Sequence, residues 1–182
     1  KEVCELAYKA GLRMVLWGFE SGSKKIMKLI NKGINVDNRL KILKTARDAG
    51  IYNFAFIFFG FPAETKRSAL KTINIICKNT DIINSYGKSV FTMGKHTKLR
   101  ATPEKYGVIG ETKQVSEFSP TYEYTAKGMT KKELDEVINL CTKRAHEAYG
   151  NALSFHLISR EILFLYLCTF GIDQVCKYKF GE

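Results

Sequence analysis

Two short stretches of this sequence carry residue types from which a ligand site could be built. The stretch GFESGS (18–23) follows the apolar run LRMVL, and GFPAET (60–65) follows the run YNFAFIFF. Each contains a glycine that admits a close ligand and a carboxylate that can accept hydrogen bonds from hydroxyl or ammonium groups. Each also precedes a predicted helix, whose first turn favours an anion. A ligand with a diol, an ammonium group and a carboxylate would use all three features.

The elements around these stretches predict how they are positioned. Nearly continuous apolar runs at 12–19 and 52–61 predict buried parallel strands, and KSVFTM (88–93) predicts a third. Helices are expected between the strands, which predicts an α/β fold of right-handed βαβ units in a parallel sheet or barrel. Because the carboxyl ends of such strands meet at one edge, we expect Glu20 and Gly60 to face one cavity.

Helix boundaries follow from capping residues and apolar spacing. Ser23, Asp37 and Thr65 are the predicted N-caps of helices at 24–31, 38–49 and 66–79. Thr130 and Glu133 form a capping-box pair before a helix that extends to Tyr149. The stretch 94–128 has no clear period and is predicted to be irregular, and residues 151–170 are predicted to form a further apolar helix.

Composition narrows the class of protein. The 182 residues suffice for one domain with a core, and the net charge of +11 arises from 29 basic and 18 acidic residues. The lysines are spread through every helix without aromatic–basic interleaving, which favours a solvated basic surface over nucleic-acid binding. A basic, non-catalytic nucleic-acid-binding module stays open as the alternative function. An unrelated phosphate-binding α/β enzyme is disfavoured because no Gly-rich phosphate loop is present.

Cysteine usage and the chain ends complete this picture. Five scattered cysteines form no C-x-x-C pair, so the sequence indicates neither a zinc site nor a disulfide framework, and free thiols in a reducing cytoplasm are expected. The most apolar run, ILFLYLCTF (162–170), is too short to span a bilayer, which predicts a soluble, cytoplasmic protein. The sequence opens in a helix-like stretch without an initiator methionine, and we expect it to be part of a longer protein.

Taken together, the two motifs resemble a known family. GFESGS…INKG followed by IFFGFPAET is similar to the second half of a radical S-adenosylmethionine (SAM) enzyme. The nearest branch contains methylthiotransferases, oxygen-independent coproporphyrinogen oxidase and cobalamin-dependent enzymes. The resemblance covers about residues 1–110 and implies about half of a partial (β/α)6 TIM-like barrel, with an irregular connection and a helical tail at 111–182.

The resemblance also implies roles for individual residues. Glu20, with Ser21 beside it, takes the place of a fourth-strand Glu or Gln that hydrogen-bonds the ribose of SAM. Lys32 falls where relatives carry a basic residue near the methionine carboxylate. The segment from Ile57 through Gly60 to Glu64 matches a fifth-strand motif that packs on the adenine. The chain departs from the family pattern at Ala63, usually glycine, and at Phe56, where some relatives carry an acidic ribose ligand.

The implied chemistry is reductive cleavage of SAM at a [4Fe-4S] cluster. The C-x-x-x-C-x-x-C loop that binds such a cluster is not in this sequence. The resemblance therefore implies that a missing N-terminal half supplies the iron ligands, that this segment supplies the SAM-binding wall, and that it is inactive alone. The resemblance to this branch of the family is also compatible with a preceding cobalamin domain and with methyl or methylthio transfer.

Overall fold

The computed structural model describes residues 1–33, 35–150 and 159–177, and in them helices alternate with three parallel strands. The strands are β1 Met14–Glu20, β2 Tyr52–Phe59, β3 Ser85–Val90, β4 Met93–Gly94, β5 Val108–Gln114 and β6 Thr121–Ala126. The helices are α1 Glu2–Lys9, α2 Lys24–Leu29, α3 Val36–Asp48, α4 Lys66–Lys78, α5 Lys98–Ala101, α6 Lys131–Tyr149 and α7 Arg160–Lys177, with a 3-10 helix at Pro103–Tyr106. The α/β fold predicted from the sequence is confirmed.

The parallel sheet has the order β1-β2-β3. Its register pairs Leu16 with Phe54 and Gly18 with Phe56, and Phe56 in turn pairs with Gly87. Paired residues of neighbouring strands point to the same side of a sheet. These residues therefore share one face, which we call the open face. A sheet of parallel strands covered by helices on the other side is a partial TIM-like arrangement.

The opposite face of the sheet carries the main core. Phe19, Ala55, Ile57 and Phe59 are buried there against residues of α3, α4 and α6. Trp17 is partly buried in the same cluster, and its indole Nε1 donates to Asn53 Oδ1 at 2.8 Å. Trp17 and Phe19, which precede Glu20 in β1, therefore face the helices. The apolar runs in β1 and β2 are explained by this burial.

The open face is less covered. Leu16 is 41% exposed and Phe56 is 37% exposed, while Phe54 and Phe58 are half-buried. A Cβ on Gly87 would lie 3.1 Å from the rings of both Phe54 and Phe56, so the rings lean across that glycine. An apolar surface of this kind is suited to contact with a flat ligand or another polypeptide segment.

The third strand and the segment after it differ from the sequence prediction. The strand lies at Ser85–Val90 rather than at 88–93, since Met93 belongs to a second sheet with the order β4-β6-β5. That antiparallel sheet corrects the prediction that 94–128 is irregular. Its apolar side packs with Ile26 of α2 and Phe61, which accounts for its stability. The predicted division at residue 110 falls within β5 and stays a prediction.

The predicted N-cap position is correct for Ser23, Thr65 and Thr130 and wrong for Asp37. Thr65 accepts from Ser68 N, and Thr130 with Glu133 forms the complete capping box of α6. Asp37 lies inside α3, because Asn35 is its N-cap and accepts from Asn38 N at 2.8 Å. Ser23 occupies the N-cap position of α2, but its side chain makes no capping hydrogen bond.

The last helix, α7, packs on the amino-terminal end of the sheet. Its Leu163 and Leu167 form a buried cluster with Tyr52 of β2, and Asp173 pairs with Arg47 of α3 at 2.8 Å. Of the predicted helix at 151–170, residues 151–158 lie outside the described residues. Within the described ranges, every helix is too short or too polar to cross a bilayer.

Candidate functional site

Glu20 lies at the carboxyl end of β1, where the backbone makes an unusual turn. Its φ is 65°, in the left-handed region that non-glycine residues seldom adopt, and Ser21 N donates to Phe19 O at 2.9 Å. This hydrogen bond spans three residues and closes a γ-turn with Glu20 at its centre. Backbone strain of this kind is commonly found where a side chain is held for a function.

The Glu20 carboxylate is held on the open face by Lys32. The two charged groups are 2.7 Å apart, with the Glu20 side chain 18% exposed and that of Lys32 50% exposed. A Cβ on Gly18 would lie 2.8 Å from Glu20 Oε1, so glycine is needed where the carboxylate folds back. Helix α2 ends at Leu29 and Asn31 adopts a φ of 52°, which returns Lys32 to the strand end. This turn after α2 brings Lys32 and Glu20 together.

The residues after Glu20 serve packing. Ser21 is fully buried, with its hydroxyl 3.2 Å from Thr72 Oγ1, and it accepts from Ser23 N at 3.1 Å. A Cβ on Gly22 would lie 2.9 Å from Thr72 Cα and 2.7 Å from Ile75 Cδ1. This glycine therefore lets α4 approach, rather than a ligand. The hydroxyl of Ser21 is engaged within the protein.

The second strand end has a different geometry. The Glu64 carboxylate is fully buried, and its Oε2 accepts from Gly60 N at 2.8 Å. Gly60 has a φ of 85°, and a Cβ there would lie 3.1 Å from a methyl group of Leu134 in α6. Gly60 therefore faces a helix, while the Glu20 carboxylate lies over Gly18. The role of this turn in cofactor binding stays a prediction.

Burial alters the acidity of Glu64. Removal from water raises the pKa of its carboxyl to about 7, opposed by the hydrogen bonds from the backbone of Gly60 and Phe61. The other oxygen, Oε1, has no hydrogen-bond partner among the described residues. The backbone of Gly128 and Met129 covers this turn, donating to Pro62 O at 2.8 Å and Glu64 O at 2.9 Å.

Ile57 lies on the helix-facing side of β2. It pairs with Glu20 in the sheet register, but its side chain is only 2% exposed and packs in the main core. Phe56, its neighbour in sequence, points to the open face beside Gly18 instead. Among the residues predicted from the sequence, the structure therefore brings Glu20 and Lys32 into direct contact, and it places Ile57 and Glu64 in buried surroundings.

Arg39 was missed at the sequence level. It is 9% exposed and donates from Nη1 to Gly18 O at 3.2 Å and, through a very short contact, to Phe19 O. Burial lowers the pKa of its guanidinium, and the charge of Glu20 opposes that shift. The signal was present in the sequence, because Arg39 occupies the apolar stripe of α3 together with Val36, Leu43 and Ala46.

Comparison with known proteins shows what the amino-terminal part of this chain resembles. Residues 1–76 match the model of the Radical SAM superfamily. Over 82 residues, which are 45% of the chain, the sequence is 32% identical to an uncharacterized methyltransferase of Pyrococcus horikoshii. Over 76 residues, which are 42% of the chain, it is 33% identical to a putative methylthiotransferase of Methanocaldococcus jannaschii. The aligned segments span 18% and 17% of these relatives. Residues 1–76, which hold both strand ends, are therefore similar to the radical SAM superfamily.

Proposed function

We propose that this chain forms the SAM-binding wall of a radical SAM enzyme. The observation that carries the proposal is the Glu20 carboxylate, displayed on the open face at the end of β1 and paired with Lys32 at 2.7 Å. The carboxylate of Glu20 can accept hydrogen bonds from the ribose hydroxyls or the amino group of SAM. The ammonium group of Lys32 can at the same time pair with the carboxylate of SAM. The exposed ring of Phe56 lies next to Gly18 and offers an apolar wall for an aromatic base.

The residues of this chain fit SAM better than they fit an iron–sulfur cluster. Members of the superfamily use both groups. The sequence has no three-cysteine loop, and the described residues contain no group of three or more His, Cys, Asp or Glu side chains placed to hold a metal ion. We infer that thiolates from another segment hold the [4Fe-4S] cluster, consistent with alignments that span less than a fifth of the relatives. When bound, the cluster supplies the electron for SAM cleavage.

The reaction class follows from the same relatives. One is named a methyltransferase and the other a methylthiotransferase. We propose that the complete protein transfers a methyl or methylthio group, with cobalamin as a candidate second cofactor. In this arrangement Glu20 and Lys32 orient SAM, Phe56 and Leu16 exclude water from one side of it, and the strained turn fixes the carboxylate.

Equilibrium binding of SAM to the chain tests the proposal. We expect Glu20→Ala to weaken SAM binding by roughly tenfold or more, because hydrogen bonds to charged groups contribute about 1.5–3 kcal/mol. Glu136→Ala is the matched control, since Glu136 forms an exposed pair with Lys66 at 2.8 Å on a different surface. Equal SAM affinity in wild type and Glu20→Ala, or no SAM binding at all, would contradict the proposal.

Reconstitution with iron and sulfide tests the assignment of the cluster to another segment. We expect the chain alone to develop no stoichiometric [4Fe-4S] absorbance. The appearance of one cluster per chain, lost on substitution of Cys168 and Cys176, would overturn this assignment.

A further inference from the structure

Arg39 is the most buried cation at the end of β1, and its contacts are to backbone. It projects from the second turn of α3 toward the strand, where Nη1 donates to the carbonyl oxygens of Gly18 and Phe19. Arg39 also lines a pocket of about 170 Å³ together with Trp17 and Lys32. A charged group this deeply buried is costly unless its hydrogen bonds are needed locally.

The two acceptors of Arg39 are the carbonyls that define the Glu20 turn. Phe19 O is shared between Arg39 and Ser21 N, and Gly18 O belongs to the residue over which the carboxylate folds. The register between β1 and β2 shifts between Gly18 and Glu20, so regular pairing with β2 does not fix the backbone there. Arg39 therefore provides a constraint that the sheet does not.

We propose that Arg39 is a positioning residue that holds the strained turn at Glu20 and so keeps its carboxylate over Gly18 for SAM binding. This inference rests on the proposed function of Glu20, but the effect on the turn can be measured separately. Arg39 touches the backbone and acts through Glu20, whose negative charge lies close enough to stabilise the guanidinium. A long, planar, permanently charged donor suits this task, because it can reach two carbonyls at once.

Amide hydrogen exchange distinguishes this local role from a general contribution to stability. In Arg39→Leu we expect the Ser21 amide, bonded to Phe19 O at 2.9 Å, to exchange roughly tenfold faster. The amide of Tyr52, bonded to Arg13 O at 2.8 Å at the other end of the strands, should exchange at the wild-type rate. Arg39→Lys keeps the charge and should give an intermediate rate for Ser21.

A control variant separates the specific effect of Arg39 from the effect of removing any positive charge from α3. Lys44 lies on the same helix, and its side chain is 63% exposed in a surface pair with Asp48. Lys44→Leu should leave both amides at wild-type rates. Equal acceleration at Ser21 and Tyr52 in Arg39→Lys and Arg39→Leu would reduce Arg39 to a stabilising residue. Unchanged exchange at Ser21 in both variants would overturn the proposal.

A double-mutant cycle on SAM affinity completes the test. If Arg39 acts through Glu20, Arg39→Leu should weaken SAM binding roughly tenfold in the wild-type background and have no further effect in Glu20→Ala. Independent, additive losses would show that Arg39 contacts SAM or acts by another route, which contradicts a positioning role. If wild type binds no SAM, the proposed function fails, whereas the exchange rates still decide whether Arg39 holds the turn.

Discussion

The ends of β1 and β2 look alike in sequence, yet they are built for different tasks. Both contain a glycine, a phenylalanine and a glutamate ahead of a helix. Glu20 is partly exposed, adopts a positive φ and meets a cation, whereas Glu64 is fully buried and bonded to Gly60 N within its own turn. The first end displays its carboxylate, and the second uses its carboxylate to fix the turn. Residue type alone does not separate these roles; the backbone conformation and the covering elements do.

The largest effect on stability should arise where another part of the chain covers the turn that follows β2. A Cβ on Gly128 would lie 2.5 Å from Glu64 O and 2.6 Å from Pro62 O, both backbone atoms that cannot move aside cheaply. We expect Gly128→Ala to lower the free energy of unfolding by about 3 kcal/mol or more, measured by urea denaturation. Gly94→Ala is the control, because its nearest neighbour is a movable methyl group of Thr97 at 3.3 Å. Equal stability of the two variants would show that the turn is not tightly covered.

The second turn should also make stability depend on pH. The native state raises the Glu64 pKa from 4.5 to about 7, so it binds this proton more tightly than the unfolded chain. The contribution of this carboxyl to the free energy of unfolding is therefore fully present below about pH 4.5. It is lost as the pH rises to about 7, by on the order of 3 kcal/mol. In Glu64→Gln this part of the decline should disappear from urea denaturation curves measured at successive pH values. A decline of the same size in Glu64→Gln would contradict the assignment.

At the turn that ends β1, the stability of a variant that lacks the carboxylate should depend on which residue replaces Glu20. Because Glu20 has a φ of 65°, glycine suits the position better than any residue with a Cβ. We expect Glu20→Gly to be more stable than Glu20→Ala by about 1 kcal/mol in urea denaturation, although both lose the carboxylate. Equal stability of the two variants would mean that the turn carries no backbone strain.

The smallest effect on stability should come from Lys32. Its ion pair with Glu20 is half exposed on the lysine side, and such pairs contribute little. Lys32→Met should change the free energy of unfolding by no more than about 0.5 kcal/mol, similar to Lys66→Met, while SAM binding weakens only in Lys32→Met. A loss of stability above about 1 kcal/mol would assign Lys32 to the fold rather than to the ligand.

The sequence predicted the elements whose patterns are strong. The apolar runs of β1 and β2 and the capping residues Thr65 and Thr130 each reflect one dominant local interaction. The polar strand β3 was placed three residues late, because Ser85, Gly87 and Ser89 leave room for phenylalanine rings and offer no apolar run. The antiparallel sheet was missed because its long strands are largely exposed and its register is interrupted.

At the candidate site, residue types were visible in the sequence but contacts were not. Glu20 and Lys32 were identified, and their ion pair depends on Asn31, whose left-handed conformation no periodicity indicates. The first motif was predicted to contain a glycine that admits a ligand, but α4 occupies the space at Gly22. The burial of Glu64 depends on residues 128–129, which are distant in sequence. Long-range packing therefore decides which strand end displays a charged group.

Mapping of SAM-induced chemical shifts on the backbone amides tests the central contrast most directly. We expect SAM to shift the amides of Glu20, Ser21 and Lys32 and to leave those of Glu64 and Met129 unchanged, and we expect Glu20→Ala to abolish the shifts. Shifts concentrated at Glu64 and Met129, with Glu20 unaffected, would contradict the claim that the end of β1 is where this chain binds the cofactor.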